Sequence, residues 1–157
     1  MYSLDPAVKI IWTINIIMRT LFYTIFFAVL DFFVIPNFFS DWILPKGITT
    51  LLIFIFGVIV AAIYPYYYYK YWKFSVREDE VYIERGVLTR VKTTAPYLRI
   101  QHLDVVQSVL DRIYGLGKLV IYTAGTRGAD VTIPGLPIEY AEQLRDRLKN
   151  VTPEDEV

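Results

Sequence analysis

Few side chains of this sequence have the types and spacing that catalysis needs. His102 is the single histidine and cysteine is absent, so we expect no thiolate nucleophile, disulfide or zinc-cysteine site. Asp104 and Asp130 stand apart in sequence, and Ser108 fits a helix start better than a nucleophile. His102 follows Ile100 in a strand-like segment, which favours a structural role. We therefore expect no enzyme, no cofactor and no metal site.

Asp31 is a carboxylate inside a long apolar run. It lies about 18 Å beyond Arg19 along a helix that rises about 1.5 Å per residue. A charge at the centre of a bilayer costs about 2.5–3.5 kcal/mol on insertion scales, so such a residue is a candidate for ion passage or for a polar contact with another helix. The alternative is that Asp31 lies at the outer membrane boundary or is protonated. Ion passage would require several copies, because two helices are too few to enclose a pathway.

Two apolar segments are long enough to cross a membrane. Residues 47–69 carry no charge and exceed the length of about 20 residues that spans about 30 Å of hydrocarbon. The other span is predicted at about residues 19–39, after an amphipathic stretch whose helix begins near Pro6. A short loop over residues 36–47 joins the two spans. The N-terminal part is therefore predicted to be a two-helix transmembrane hairpin.

The distribution of cations predicts the orientation of this hairpin. Lysine and arginine residues flank both spans on one side, whereas the joining loop holds Lys46 alone. The positive-inside rule therefore places both termini in the cytoplasm and makes the chain a multi-pass protein of the cell membrane. The aromatic run from Tyr64 to Trp72 fits the inner membrane interface. The flanking cations are Lys9, Arg19, Lys70, Lys73 and Arg77.

The balance of charges excludes one class of partner. The 157 residues include 16 basic and 16 acidic side chains, so the formal net charge is zero. A nucleic-acid-binding protein needs a basic surface to neutralise phosphates, and we therefore expect no nucleic acid partner.

From Phe74 onward, alternation of apolar and polar residues replaces the helical period. A short helix is predicted after Ser108, which forms a capping box with Asp111, and an amphipathic helix is predicted over residues 137–150. Six or seven antiparallel strands closed by one helix are the architecture of a pleckstrin-homology-like (PH-like) domain. The predicted fold is α+β, with a two-helix transmembrane hairpin followed by a PH-like β-barrel or sandwich capped by a C-terminal helix. The predicted strands are 73–76, 81–84, 87–95, 100–106, 119–123 and 129–133, with a hairpin at 125–128.

The segments from Phe74 to Leu88, from Pro96 to Gln101 and from Ile133 to Leu136 carry a family resemblance. Together with residues 4–6 ahead of two spans, they resemble the bacterial PH domain of the YdbS-like membrane-flanked family. The resemblance extends over nearly the whole chain. It implies a PH-like fold on the cytoplasmic side of a two-helix anchor, and it implies no particular chemistry.

Eukaryotic lipid-binding PH domains usually carry basic residues in the first hairpin, where this chain has an acidic turn over residues 77–80. We therefore do not expect inositol phosphates to bind there. Arg99, Gln101 and Gln107 have alternative structural roles as strand ends and rim hydrogen-bonding groups, and the cations have an alternative role as a solvated face. The candidates for a partner or lipid surface are Arg85, Arg90, Lys92, Arg99, Gln101 and Gln107.

The sequence predicts an anchor over residues 1–70, a PH-like domain over residues 71–151 and an acidic disordered tail over residues 152–157. Two functional hypotheses follow. In the first, the chain is a non-enzymatic interaction module that assembles with another membrane protein carrying similar domains, or with copies of itself. In the second, it senses lipid headgroups or an amphiphile and helps to maintain the cell envelope. Membrane lipids are partners in both.

Overall fold

A computed structural model of the chain describes residues 2–34, 45, 47–124 and 131–151. The predicted hairpin at 125–128 and the tail at 152–157 lie outside these residues, as do most of the joining loop and the end of the first predicted span. The chain divides into two compact units. We call Trp12–Tyr66 the helical unit, and Met1–Ile11 with Tyr67–Val157 the domain unit. The first residues of the chain therefore group with the strands, although the sequence had placed them with the anchor.

The helical unit consists mainly of two long helices. Helix α1 is Val8–Val29 and continues as a π-helical turn over Leu30–Val34, whereas helix α2 is Ile48–Tyr71. Asp5 caps the start of α1, because its Oδ1 accepts a hydrogen bond of 2.8 Å from the Ala7 N–H. Both helices are long and apolar enough to cross a membrane.

The first sheet of the domain unit is antiparallel and has three strands in the order β1-β2-β3. Its third strand begins later than predicted, because residues 86–90 form a turn and are not part of the strand. Gly86 has a φ of 116°, and a Cβ at this position would lie 1.9 Å from the Thr89 carbonyl oxygen. Only glycine therefore fits this tight turn. The strands are β1, Lys73–Val76; β2, Glu80–Arg85; and β3, Val91–Pro96.

The second sheet is also antiparallel, in the order β4-β5-β6, and a 3-10 turn over Tyr97–Arg99 connects it to the first. The predicted capping box is present: Ser108 Oγ accepts from the Asp111 N–H at 3.3 Å, and Asp111 Oδ2 accepts from the Ser108 N–H at 2.9 Å. Helix α3 follows this cap. The remaining elements are β4, Ile100–Val106; α3, Val109–Ile113; β5, Leu116–Thr123; β6, Val131–Pro137; and α4, Ile138–Val151.

The core of the domain unit draws on both sheets and on α4. Helix α4 packs on the second sheet through its apolar face, as its helical spacing predicted. Among the described residues no strand pairing joins the two sheets, so they do not close into a barrel. The predicted α+β class is confirmed. The core residues include Val81, Ile83, Leu119, Ile121, Ile133, Ala141, Leu144 and Leu148.

Candidate functional site

The first residues of the chain connect the two sheets. Tyr2 exchanges two backbone hydrogen bonds with Phe74 of β1, with N···O distances of 2.7 and 3.1 Å. Three residues later, the Asp5 N–H donates to the carbonyl oxygen of Gly135 in β6 at 2.8 Å. The segment from Tyr2 to Asp5 therefore lies along β1 of the first sheet and β6 of the second.

The start of α1 and the end of α2 meet the domain at one end. Val8 lies against Gly135, which has a φ of 61° and where an added Cβ would lie 2.6 Å from the Val8 Cβ. The Tyr69 hydroxyl donates to the Leu4 carbonyl oxygen at 3.0 Å, and the Lys9 ammonium lies 4.8 Å from the centre of the Tyr69 ring. We call this end of the domain, where α1 begins and α2 ends, the junction end, and the opposite end the far end.

Two connections of the domain lie at the junction end. The pairing of Lys73 with Glu84 places the turn over residues 86–90 next to the start of β1, where α2 has just ended. The Arg90 guanidinium accordingly lies 5.6 Å from the centre of the Tyr71 ring. In the second sheet, the connection over residues 107–115 leads from β4 to β5 close to the end of β6. We therefore assign the 86–90 turn and α3 to the junction end.

The acidic turn over residues 77–80 lies at the far end. The Tyr97 N–H donates to the Asp79 carbonyl oxygen at 3.0 Å, and the Tyr97 hydroxyl donates to the Arg77 carbonyl oxygen at 2.5 Å. Arg77 also forms an ion pair with Glu80. Burial raises the pKa of Tyr97, although the positive charge of Arg147 opposes this shift. The 3-10 turn is therefore joined to the acidic turn.

The structure does not bring the six predicted surface residues together. Arg85, Arg90 and Lys92 are exposed at the junction end, since the pair of Arg85 with Val91 closes the ladder next to the 86–90 turn. Arg99 and Gln101 are exposed at the far end, in the 3-10 turn and the first residues of β4. The two groups therefore belong to opposite ends of the domain.

Gln107, the sixth residue, has a structural contact. Its Nε2 donates a hydrogen bond of 2.6 Å to the Leu116 carbonyl oxygen. This bond holds the connection between β4 and β5 in place. Gln107 therefore has the structural role that the sequence offered as an alternative, that of a hydrogen-bonding residue at the rim of the domain.

Asp31 lies within the helical unit and is only 5 % exposed. Its Oδ2 accepts hydrogen bonds from the N–H of Thr50 at 3.0 Å and from the Thr50 hydroxyl at 2.7 Å. Thr50 is the third residue of α2, whose first N–H groups have no partner inside the helix. The Asp31 side chain therefore caps α2, at the positive end of the helix dipole.

His102 lies on the exposed side of β4. Its ring stacks on Tyr122 with centroids 4.1 Å apart, and its Nε2 is 3.5 Å from Asp104 Oδ2. The described residues contain no group of three His, Cys, Asp or Glu side chains that could hold a metal ion. The contacts of the His102 side chain are therefore one stacked tyrosine ring and one carboxylate.

The sequence reasoning missed the apolar side chains that the domain exposes. In the described residues from Trp72 to Val151, most of the large exposed apolar side chains lie at the junction end. Leu88 at the tip of the 86–90 turn is 98 % exposed, and turns usually carry Gly, Asn, Asp or Ser. A leucine in such a turn was the available signal. The junction-end residues are Leu88, Val91, Val106, Val109, Ile113 and Tyr114, and those elsewhere are Leu98 and Val151.

Comparison with known proteins identifies the family of this chain. Residues 20–152 match the profile of the bacterial PH domain family. The UPF0699 transmembrane protein YdbS of Bacillus subtilis (strain 168) is 34 % identical over 102 residues, which cover 63 % of this chain and 62 % of YdbS. The UPF0699 transmembrane protein YdbT of the same organism is 26 % identical over 131 residues, which cover 73 % of this chain and 26 % of YdbT.

The matches therefore extend over less than two thirds of the length of each relative. No solved structure matches the chain significantly. The transmembrane relatives and the two long apolar helices together identify a membrane protein. With an α+β domain after those helices and a family match over most of its length, the chain belongs to the bacterial PH domain family.

Proposed function

We propose that this protein is a non-catalytic interaction module anchored in the cell membrane, which assembles with another membrane protein that carries a similar domain. Both helices cross the membrane and both termini lie in the cytoplasm, a topology that the cations flanking the two helices favour. The domain then works at the cytoplasmic membrane surface.

The observation that carries this proposal is that two of the four edge strands have no segment paired along their outer side within the described residues. The segment from Tyr2 to Asp5 lies along β1 and β6, whereas within the described residues β3 pairs only with β2, and β4 only with β5. A strand at a sheet edge presents unpaired N–H and C=O groups, which an extended segment of a second protein can bind. Strands β3 and β4 are therefore the surfaces on which we expect a partner.

The two relatives support a partner of the same kind. YdbS and YdbT are different membrane proteins of one organism, and this chain is similar to both. One organism therefore holds two transmembrane proteins that are both similar to this chain. β-Sheets share one hand of twist, which allows edge strands of two such domains to pair.

Site-specific photo-cross-linking in cells tests the proposal. A photoreactive amino acid replaces Asp104 on exposed β4, and in the matched control it replaces Glu142 on the exposed face of α4. We expect adducts at position 104 whose peptides come from a bacterial PH domain protein or from a second copy of this chain. Adducts of the same kind and yield at both positions, or none at position 104, would contradict the proposal.

A further inference from the structure

The junction end of the domain combines apolar tips with cations. Leu88 is 98 % exposed in its turn, and Val109 and Ile113 on α3 are 76 % and 70 % exposed. Val109 and Ile113 are four residues apart on a helix and therefore share one face. Isolated exposed apolar residues are ordinary, but several at one end of a domain mark a surface that contacts something apolar.

The charges around the 86–90 turn have one predominant sign. Arg85, Arg90 and Lys92 flank the 86–90 turn and are exposed, and Arg112 is exposed on α3. The carboxylates beside the turn and α3 include Glu84, which lies opposite both Lys73 and Lys92 in the ladder, and Asp111, which is buried and lies 3.3 Å from the Lys118 ammonium. Two further carboxylates lie at this end: Asp5, which caps α1, and Glu139, which is exposed at the start of α4, where the Ile138 N–H donates to the Gly115 carbonyl oxygen at 3.1 Å. The exposed charge around the 86–90 turn itself is therefore mainly positive.

Both helices of membrane-spanning length connect to the domain at this end. Helix α2 ends at Tyr71 and β1 begins at Lys73, so one residue separates a membrane-spanning helix from the sheet. Helix α1 begins at Val8, which packs on Gly135 at the same end. The inference rests on the topology proposed above, in which both helices span the membrane, so that the chain enters the domain from the headgroup layer at this end.

We propose that the junction end is a membrane-docking surface, in which Leu88 and the Val109–Ile113 face insert into the lipid interface while Arg85, Arg90 and Lys92 bind anionic headgroups. Apolar side chains flanked by cations are the composition of interfacial membrane-binding elements. The surface holds the domain in one orientation against the bilayer, and it leaves β3 and β4 for the partner proposed above. It does not depend on that partner.

The far end supplies a matched control. Leu98 is 82 % exposed in the 3-10 turn, so it resembles Leu88 in residue type, exposure and position in a turn. It differs in its surroundings, because the 3-10 turn is joined to the acidic turn over residues 77–80. If the junction end docks on the membrane, Leu88 contacts lipid and Leu98 does not. Non-specific hydrophobic adsorption of exposed leucines would bring both into contact with lipid.

Depth-dependent quenching on the full chain tests the proposal. The chain has no cysteine, so Leu88→Cys and Leu98→Cys each give one site for an environment-sensitive fluorophore. The proteins are reconstituted into phosphatidylcholine vesicles with or without phosphatidylglycerol, with nitroxide-labelled lipids in both leaflets. We expect a blue shift and strong quenching at position 88 only, both larger in the anionic vesicles.

Salt and charge removal test the cations. Raising the ionic strength from about 0.1 M to about 1 M shortens the Debye length from about 10 Å to about 3 Å, so quenching at position 88 should fall. Replacing Arg85, Arg90 and Lys92 by glutamine should remove the dependence on anionic lipid. The control replaces Arg145, Arg147 and Lys149 of α4 by glutamine and should leave that dependence intact.

The same measurements define the contrary outcomes. Equal emission and quenching at positions 88 and 98 would overturn the proposal. So would a blue shift at position 88 without quenching by the labelled lipids, because that result indicates a protein contact. Photo-cross-linking at position 104 is a separate measurement, so the proposal of a docking surface and the proposal of a partner-binding edge can be contradicted independently.

Discussion

The domain unit and the helical unit bury opposite kinds of residues. The domain encloses large apolar side chains such as Ile83, Leu119 and Ile133. Among its described residues, the helical unit exposes most of its phenylalanines and buries small or polar residues, among them Thr20 and Asp31. In water, the removal of apolar surface stabilises a fold, whereas in lipid the outer face is already solvated by hydrocarbon. Close packing and polar contacts must therefore hold the two helices together.

This contrast predicts the largest effect for truncation in the domain core. Leu119→Ala should destabilise the protein by about 2–5 kcal/mol, because it removes a fully buried side chain and leaves a cavity. Phe56→Ala, on the exposed face of α2, should have little effect on the domain. Thermal unfolding of the full chain in detergent, followed by near-ultraviolet circular dichroism, measures both. An equal loss in the two variants would contradict the contrast.

The helical unit should respond to enlargement instead of truncation. A Cβ at Gly57 would lie 2.2 Å from the Thr20 Cγ2, so Gly57→Ala must push the helices apart. Overpacking of this kind costs about 1–3 kcal/mol. The cross-linking rate between cysteines placed at Ile17 and Phe54, which line the same small gap, should fall. Adding Thr20→Ala should restore part of the rate, and an additive further loss would argue against this contact.

The polar contact between the helices predicts a smaller effect. Asp31→Ala removes the acceptor for the N–H and hydroxyl of Thr50 and should cost about 0.5–2 kcal/mol, the range for loss of a helix cap. Asp31→Asn keeps an oxygen acceptor and is the matched control. Reversible unfolding of the helices in mixed micelles, followed by far-ultraviolet circular dichroism, measures the difference. Equal stability of the alanine and wild-type proteins would rule out a stabilising cap.

The smallest effect concerns a polar contact of the domain. Tyr97→Phe removes the hydrogen bond to the Arg77 carbonyl oxygen, which should cost about 0.5–1.5 kcal/mol. Burial raises the pKa of Tyr97 above 10.0, so at higher pH the unfolded chain ionises first and the stability of the folded state falls.

The phenylalanine variant should therefore lose less stability than the wild type between pH 9 and pH 11. Part of the decline should remain, because burial also raises the pKa of Tyr140. Parallel stability curves for Tyr97→Phe and the wild type would contradict this assignment.

Local patterns of the sequence were sufficient for most of the elements. The strands over residues 73–76 and 100–106 have the predicted bounds, and the capping box at Ser108 is present. The third strand was predicted to begin too early, because the alternation in sequence continues through Val87 and Thr89 although Gly86 begins a turn there. An alternating pattern indicates which side chains share a face of a strand. Because the pattern can continue through a short turn, it does not locate the first residue of the strand.

The candidate surface was less predictable than the elements. Arg85 and Arg99 are both cations that flank predicted strands, yet they lie at opposite ends of the domain. Their separation depends on the direction in which each strand runs and on which end receives the helices. The composition of a set of residues does not contain that information.

By itself, the sequence determined the two membrane-length helices, the α+β class and the family, because these depend on hydrophobic length, period and local motifs. The tertiary structure alone decided that Tyr2 and Asp5 belong to the domain, that Asp31 caps the second helix and that Leu88 lies among cations at the junction end. The bond from Asp5 to Gly135 joins residues far apart in the chain. Such contacts are made by backbone groups that nearly every residue carries, so no local sequence pattern predicts which residues will form them.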